Sequence, residues 1–161
     1  MSPSNLRVLV AGLALALAAP LAFAQIVPYG APIDLETARK VAMAAVTEAR
    51  KSNFAMAVAV TDAAGDLVYF EKMDGTQTAS VRVAEGKARS AAIYKRPTKV
   101  FQDIVASGGD GLRILGLDGA VPIEGGIPLV IGGKIVGAIG ASGGSAAQDG
   151  QVAKAGTAAL N

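Results

Sequence analysis

Residues 140–144, Gly-Ala-Ser-Gly-Gly, match the pattern G-x-S-x-G, which presents a nucleophilic serine in α/β-hydrolases. A serine hydroxyl is a weak nucleophile unless a nearby base accepts its proton, and the chain has no histidine to do so. Three lysines are formal substitutes, and nothing in their spacing selects one: Lys87, Lys134 and Lys154. We therefore interpret the pattern as a turn between a strand and a helix, with Ser142 and Ser145 capping the helix amides.

The glycine-rich sequence before the last helix fits neither nucleotide-binding pattern. Isoleucine follows Gly133-Lys134 where a phosphate loop needs serine or threonine, and Gly137, Gly140 and Gly143 are evenly spaced by three. The sequence thus gives no signal for a nucleotide or a flavin. A glycine turn that leads into a helix still exposes amides that suit an anion, whether carboxylate or phosphate.

Basic residues concentrate within residues 82–99, where the only acidic side chain is that of Glu85. The cluster contains Arg82, Lys87, Arg89, Lys95, Arg96 and Lys99. Glu85 and Arg89 have the spacing of a supportive helical pair, so one interpretation is a solvated helix face. The other is a site for a small anionic ligand, because arginine pairs with carboxylates through a two-pronged fork.

Metal chemistry has few candidate ligands in this chain. Without histidine or cysteine, a zinc or copper site would lack its usual donors, and the carboxylates show no calcium-loop spacing. The candidate axial ligands for haem are Tyr29, Tyr69, Tyr94, Met43, Met56 and Met73. We favour Tyr94 as a haem ligand, because the cations of Lys95 and Arg96 would favour its phenolate form. The alternative is a partly buried packing tyrosine.

The first 24 residues have the pattern of a signal peptide. One basic residue, Arg7, precedes an apolar run that ends Ala22-Phe23-Ala24, an A-x-A cleavage signature. We expect cleavage before Gln25, no membrane anchor afterwards, and an exported protein in the periplasm or the medium. An uncleaved anchor is the alternative. Residues 25–33, with two prolines, predict an extended lead-in.

Charge and composition argue against nucleic-acid binding and against disulfides in the expected exported chain. The 15 basic and 13 acidic residues of the whole chain, less Arg7, leave a net charge of +1, and aromatic residues are few. Nucleic-acid binding is therefore not expected. No cysteine is available for a disulfide.

The elements that must position these residues begin with a helix and a hairpin. The spacing of small apolar residues predicts a helix from residue 35 to about 53, capped by Asp34. Residues 55–62 and 67–73 predict two strands joined by a turn at Gly65. A second helix is expected over 78–95, ending before Pro97.

Caps and turns complete the predicted order. Thr78 or Ser80 is expected to cap the second helix, and Thr98 a short third helix. Residues 108–111 predict a loop. A three-strand meander follows, with Gly132-Gly133 as a two-residue hairpin turn, and the last helix carries a capping box, Ser145 and Gln148. The class is α+β, with five mainly antiparallel strands flanked by helices.

Three motifs together resemble the GlcG/HbpS family of haem-degrading and haem-binding domains, which is related to the C-terminal domains of PduO proteins. They are F-x-[KR]-M-D-G at residues 70–75, [KR]-R-P-T at 95–98 and P-x-E-G-G-[IV]-P at 122–128. The resemblance covers residues 34–161. It implies a single profilin-like domain with a five-stranded antiparallel sheet, and a homo-oligomer.

The resemblance also implies a function and a set of ligand-binding residues. We expect an exported protein that binds haem or a similar anionic small molecule, with an accessory role in haem degradation or redox sensing. The matching positions, with Tyr94 added from its cationic neighbours, are Phe70, Met73, Lys87, Arg89, Tyr94, Arg96, Thr98, Glu124, Gly125 and Gly126. Where relatives ligate haem or iron through histidine, this chain offers none.

Two alternatives come from other functional classes. The first is an enzyme that acts on a small carboxylate or carbonyl compound, with Glu124 or Glu71 as acid/base and the arginines holding the substrate. The second is a structural accessory subunit that acts through its oligomer.

Overall fold

A computed structural model describes residues 27–160. The signal-peptide prediction for residues 1–24 lies outside this range. The elements are α1 (Leu35–Lys51), β1 (Ala57–Asp62), β2 (Leu67–Lys72), α2 (Ser80–Ile93), α3 (Thr98–Ala106), a 3₁₀ helix (Gly109–Gly116), β3 (Gly126–Ile131), β4 (Lys134–Ser142) and α4 (Ala146–Ala158). Within residues 27–160, every helix is too short or too polar to cross a membrane.

The first helix forms as its sequence predicts. Asp34 has extended backbone and its carboxylate accepts a hydrogen bond from the amide of Thr37 at 2.8 Å. That hydrogen bond lowers the pKa of Asp34 below its usual value. Small apolar residues at helical spacing then form the buried face: Ala38, Val41, Ala42, Ala45, Val46 and Ala49.

The four strands form one antiparallel sheet in the order β2-β1-β4-β3. The α+β class is confirmed, but the expectation of a five-stranded sheet is wrong. The segment before β3 is not a strand, because its amides bond to helix side chains instead of a neighbouring strand. Val121 donates to the hydroxyl of Ser90 at 3.0 Å, and Glu124 donates to the side chain of Gln102 at 2.8 Å.

Both predicted hairpins are confirmed. Gly132 and Gly133 have φ values of 56° and 72°, as the tight turn between β3 and β4 requires. Gly65, at φ 88°, turns the chain between β1 and β2. The carboxylate of Asp62 holds this second turn by accepting hydrogen bonds from the amides of Ala64 and Asp66.

Helices cover both faces of the sheet, so the domain has three layers. Successive side chains of a strand point to opposite faces. In β1, Val58 and Val60 therefore pack into the larger core with α1 and α4, whereas Ala57 and Ala59 pack with alanines of α2. The sheet is consequently buried on both sides, which explains the nearly continuous apolar sequence of β1 and β4.

Three local predictions are wrong. Neither Thr78 nor Ser80 caps α2, because Ala79 occupies the N-cap position and no side chain bonds there. Pro97 precedes α3, and the hydroxyl of Thr98 bonds elsewhere. In the segment predicted as a loop at 108–111, only Gly108 lies outside the 3₁₀ helix, which begins at Gly109. The capping box of α4 is confirmed, with Ser145 and Gln148 bonding reciprocally.

The α2 helix approaches the sheet closely because β4 has a glycine at the contact. A Cβ at Gly140 would overlap the carbonyl oxygen of Ala84 and lie 2.6 Å from the amide nitrogen of Ala88. Both neighbours are helix backbone, which cannot rotate away. The position thus tolerates no side chain unless α2 moves.

We predict that Gly140→Ala lowers the free energy of unfolding by about 3 kcal/mol, because the added methyl group overpacks the interface. Urea denaturation followed by circular dichroism measures the change. Gly116→Ala is the matched control, since a Cβ there has nothing within 4 Å. Equal effects of the two substitutions would contradict the close contact.

Candidate functional site

Lys87 of α2 lies inside the domain, although lysine is almost never fully buried without a partner. Its ammonium group donates to a carboxylate oxygen of Asp149 at 2.6 Å and to the carbonyl oxygen of Ala141 at 3.1 Å. The two side chains are 0% and 4% exposed. The other carboxylate oxygen of Asp149 accepts the amide of Gly144 at 3.0 Å. Each charge therefore has two hydrogen-bonded neighbours in place of water.

The turn before β3 packs directly on this ion pair. A Cβ at Gly125 would lie 2.9 Å from the Lys87 ammonium and 2.8 Å from Cβ of Asp149. Gly126 passes the backbone of Lys87 just as closely, and its amide donates to the hydroxyl of Thr98 at 2.9 Å. We call these five residues, Lys87, Thr98, Gly125, Gly126 and Asp149, the lysine junction.

The lysine junction explains four of the predicted site residues. Lys87, Thr98, Gly125 and Gly126 do converge, but their polar groups bond to one another and to β4. None of them lines the cavity described below. The junction therefore joins α2, α3, β3, β4 and α4, and its chemistry is that of a structural ion pair. The Lys87 ammonium is bonded to Asp149 and Ala141, so Lys87 does not serve as a base for Ser142.

Sequence reasoning missed Asp149, the partner of Lys87. One signal was available, since Asp149 is the only acidic residue in α4 and precedes the buried Gly150, Val152 and Ala153. A charged residue on the apolar side of a helix needs a counter-ion. Spacing along the chain does not select that counter-ion among the lysines.

The turn at residues 140–144 is held by side chains of α4. Ser142 is the last residue of β4, where it pairs with Ala57, so its predicted role in capping α4 is wrong. The amides of Gly144 and Ser145 bond to the side chains of Asp149 and Gln148. Those two amides are thus used within the turn and α4, and the structure does not support the expected anion site.

The two candidate acid/base residues lie apart. Glu71 on β2 accepts a hydrogen bond from the hydroxyl of Tyr69 at 3.0 Å, which raises the pKa of that tyrosine above its usual value. The carboxylate of Glu124 packs beside Gly150 of α4, at a distance that leaves no room for a Cβ there. Neither residue lines the cavity described below, so their positions give no support to the enzyme hypothesis.

A cavity of about 480 Å³ opens between the β1–β2 turn and α2. We call it the α2 cavity. It is lined by Thr61, Gly65, Asp66, Leu67, Arg82, Glu85, Gly86 and Arg89. Arg82 pairs with Glu85 at 3.1 Å, as helical spacing allows. Of the predicted ligand-binding residues, this cavity contains Arg89.

Tyr94 and Arg96 form a separate group at the junction of α2 and α3. The Tyr94 hydroxyl donates to the carbonyl oxygen of Asp118 at 2.5 Å, and its ring meets that of Phe101 edge to face. The Arg96 guanidinium lies over the same Phe101 ring, 5.5 Å from its centre. Tyr94 thus packs between α3 and the chain that follows the 3₁₀ helix.

Phe70 and Met73 contribute to packing. Phe70 on β2 packs against the alanine cluster between the sheet and α2. Met73 packs against the larger core, and its carbonyl oxygen accepts the Thr76 hydroxyl at 2.7 Å. The predicted site residues are therefore distributed over the lysine junction, the α2 cavity, the Tyr94 group and the core.

We predict that Lys87→Met lowers the free energy of unfolding by about 3–5 kcal/mol, because Asp149 would remain buried without a counter-ion. Urea denaturation measures the change. Lys99→Met is the matched control: it breaks the exposed Lys99–Asp103 pair and should leave stability nearly unchanged.

The double variant Lys87→Met/Asp149→Leu removes both buried charges. It should be more stable than Lys87→Met alone, because no unpaired charge remains. A double variant whose loss equals the sum of the two single losses would contradict the coupling.

Comparison with known proteins identifies a family that matches this chain. The model of the haem degrading protein HbpS-like family matches residues 33–158. Protein GlcG of Escherichia coli strain K12 is 37% identical over 110 residues, which are 68% of this chain and 81% of GlcG.

Two solved structures extend the comparison. The crystal structure of HbpS has a TM-score of 0.75 and 32% identity, covering 82% of this chain and 92% of its own. That of a PduOC:Heme complex has a TM-score of 0.73 and 28% identity, covering 81% of this chain and 96% of its own. The fold, the matching motifs and the family model agree, and the chain belongs to the HbpS-like family of haem degrading proteins.

Proposed function

We propose that this chain is an exported protein that binds haem or a similar anionic small molecule. The family description names haem degradation, and one of the similar structures is a haem complex. An accessory role in haem degradation or redox sensing belongs to the same proposal and rests on the family. The geometry adds a surface whose chemistry suits a porphyrin.

The observation that carries the proposal is a concentration of exposed apolar residues on α3 and the segment after it. Ten large apolar residues are exposed in the described chain, and half of them lie within residues 98–123. We call these five the α3 face: Val100, Leu112, Leu115, Leu117 and Ile123. Basic side chains lie within this segment at Lys99 and Arg113, and just before it at Arg96. Haem is a flat apolar ring with two carboxylates. The ring matches the exposed apolar residues, and the carboxylates match the basic side chains.

The available donor atoms favour binding without a strong axial ligand. The chain has no histidine or cysteine, and each tyrosine hydroxyl already donates to the protein. Tyr94 is the tyrosine next to the α3 face, and it would ligate iron only after leaving the carbonyl oxygen of Asp118. We therefore propose that apolar contact with the ring and pairing of the propionates supply most of the affinity.

Assembly into a homo-oligomer is also part of the proposal. Strand β3 is an edge of the sheet, and Val130 and Ile131 near its end are 44% and 45% exposed. An edge strand with exposed apolar residues is a surface on which a second copy can pair. Light scattering of the purified protein measures its mass directly.

We predict that haemin gives a saturable change in the Soret band and that Leu115→Glu weakens binding at least tenfold, because a carboxylate would face the ring and the propionates. Leu35→Glu is the matched control, since Leu35 is 61% exposed on α1 and Leu115 is 63% exposed. A Soret band that never saturates would contradict haem binding. Equal effects of the two substitutions would contradict the location.

Tyr94→Phe tests ligation separately. We expect the Soret maximum of the complex to stay in place, because the tyrosine hydroxyl remains bonded to Asp118 in the parent protein. A shifted maximum with unchanged affinity would instead make Tyr94 an axial ligand.

Export is proposed from the signal-peptide pattern alone. When the full chain is expressed in a Gram-negative host, we expect the protein in the periplasmic fraction with Gln25 as its first residue. Amino-terminal sequencing checks this. Replacing Ala22 and Ala24 with arginine should block cleavage, because the cleavage site requires small residues.

A further inference from the structure

One residue that lines the α2 cavity, Thr61, has a buried hydroxyl that the fold does not use. Thr61 is 2% exposed and lines this cavity, and its hydroxyl has no hydrogen-bond partner within residues 27–160. Its backbone is already held by both neighbouring strands, opposite Leu67 and Ala138. Valine has nearly the same shape without the hydroxyl and, like threonine, is common in strands. A buried hydroxyl without a partner is destabilising, so its presence on a cavity wall points to a ligand.

Arg89 supplies the charge that complements this hydroxyl. Among the ion pairs of residues 27–160, Arg82 is bonded to Glu85, whereas Arg89 has no acidic partner. The stem of Arg89 packs on the β1–β2 turn, where its Cγ would lie 2.9 Å from a Cβ placed on Gly65. The missing side chain at Gly65 therefore makes room for the arginine beside the cavity. Beyond this contact Arg89 is exposed, and an exposed guanidinium is suited to bind a carboxylate through its fork.

The charges of the lining limit the ligand further. Two arginines are balanced by Asp66 and Glu85, so the lining is neutral overall. One carboxylate can pair with Arg89, whereas a second would lie near Asp66 without a free cation. Leu67 adds an apolar side chain that is half exposed at the wall.

We propose that the α2 cavity binds a small organic monocarboxylate that carries a hydrogen-bonding group next to its carboxylate. Arg89 pairs with the carboxylate, Thr61 bonds to the second polar group, and Leu67 contacts an apolar tail. None of the residues that line this cavity belongs to the α3 face, so the two proposals are tested by different substitutions.

Calorimetry with three probes of one carbon skeleton tests the proposal: 4-methylpentanoate, its 2-hydroxy derivative and leucine, its 2-amino derivative. We expect the two substituted probes to bind about fivefold more tightly than 4-methylpentanoate, because only they can bond to Thr61. Thr61→Val should reduce this preference below twofold. Its melting temperature should equal or exceed that of the parent protein, which separates lost binding from lost folding.

Arg89→Met keeps the stem that packs on Gly65 and removes the fork. It should weaken the binding of all three probes at least tenfold. Arg50→Met, on α1 and outside the cavity, is the control and should change nothing. The proposal is overturned if no probe binds saturably at millimolar concentration, or if binding survives both Thr61→Val and Arg89→Met.

Discussion

The buried ion pair between Lys87 and Asp149 is the interaction on which the arrangement of this domain depends. Removing two charges from water is expensive, and the loss is offset only when geometry and further hydrogen bonds are good. Here the ammonium has two oxygen acceptors, and the carboxylate accepts from Lys87 and from a backbone amide. Since these groups come from α2, β4 and α4, the two helices are held in one register across the edge of the sheet.

Glycine and alanine make that ion pair possible. The backbone of the turn before β3 passes over the pair at positions where a Cβ would strike the ammonium or the carbonyl oxygen of Lys87. On the other side, Gly140 lets α2 approach β4 until helix backbone meets strand backbone. A lysine side chain from α2 can then reach α4 on the far side of the sheet. Larger residues at these contacts would separate the layers and leave both charges unpaired.

Local signals predicted most of the fold, and long-range contacts account for the errors. Asp34, the two glycines at 132–133 and the Ser145–Gln148 box act within a few residues, so the sequence reveals them. The prediction of a fifth strand is wrong because the amides of the segment before β3 bond to Gln102 and Ser90, which lie about 20 to 30 positions away in the chain. The prediction of Thr98 as a cap is also wrong because of a long-range contact: its hydroxyl accepts a hydrogen bond from the amide of Gly126.

The candidate site was less predictable, because residue type does not distinguish a ligand-binding group from a structural one. The family resemblance predicts a ligand pocket at Lys87, Thr98, Gly125 and Gly126, and the first two do have polar side chains. Their partners, however, are Asp149 and the backbone, which no spacing in the sequence identifies. Of the residues that the resemblance predicts for the pocket, Arg89 does line a cavity.

Thr61 and Lys87 show that hydrogen bonding within the protein distinguishes a structural polar group from a ligand-binding one. Both are buried polar residues beside the same helix, and neither could be left unbonded without loss of stability. Lys87 has its partners within the protein, so its charge serves the fold. Thr61 has none within the described chain, although valine would fill its place equally well. A bound ligand would supply the hydrogen-bond partner that the Thr61 hydroxyl lacks. The cavity that Thr61 lines provides the space for that ligand.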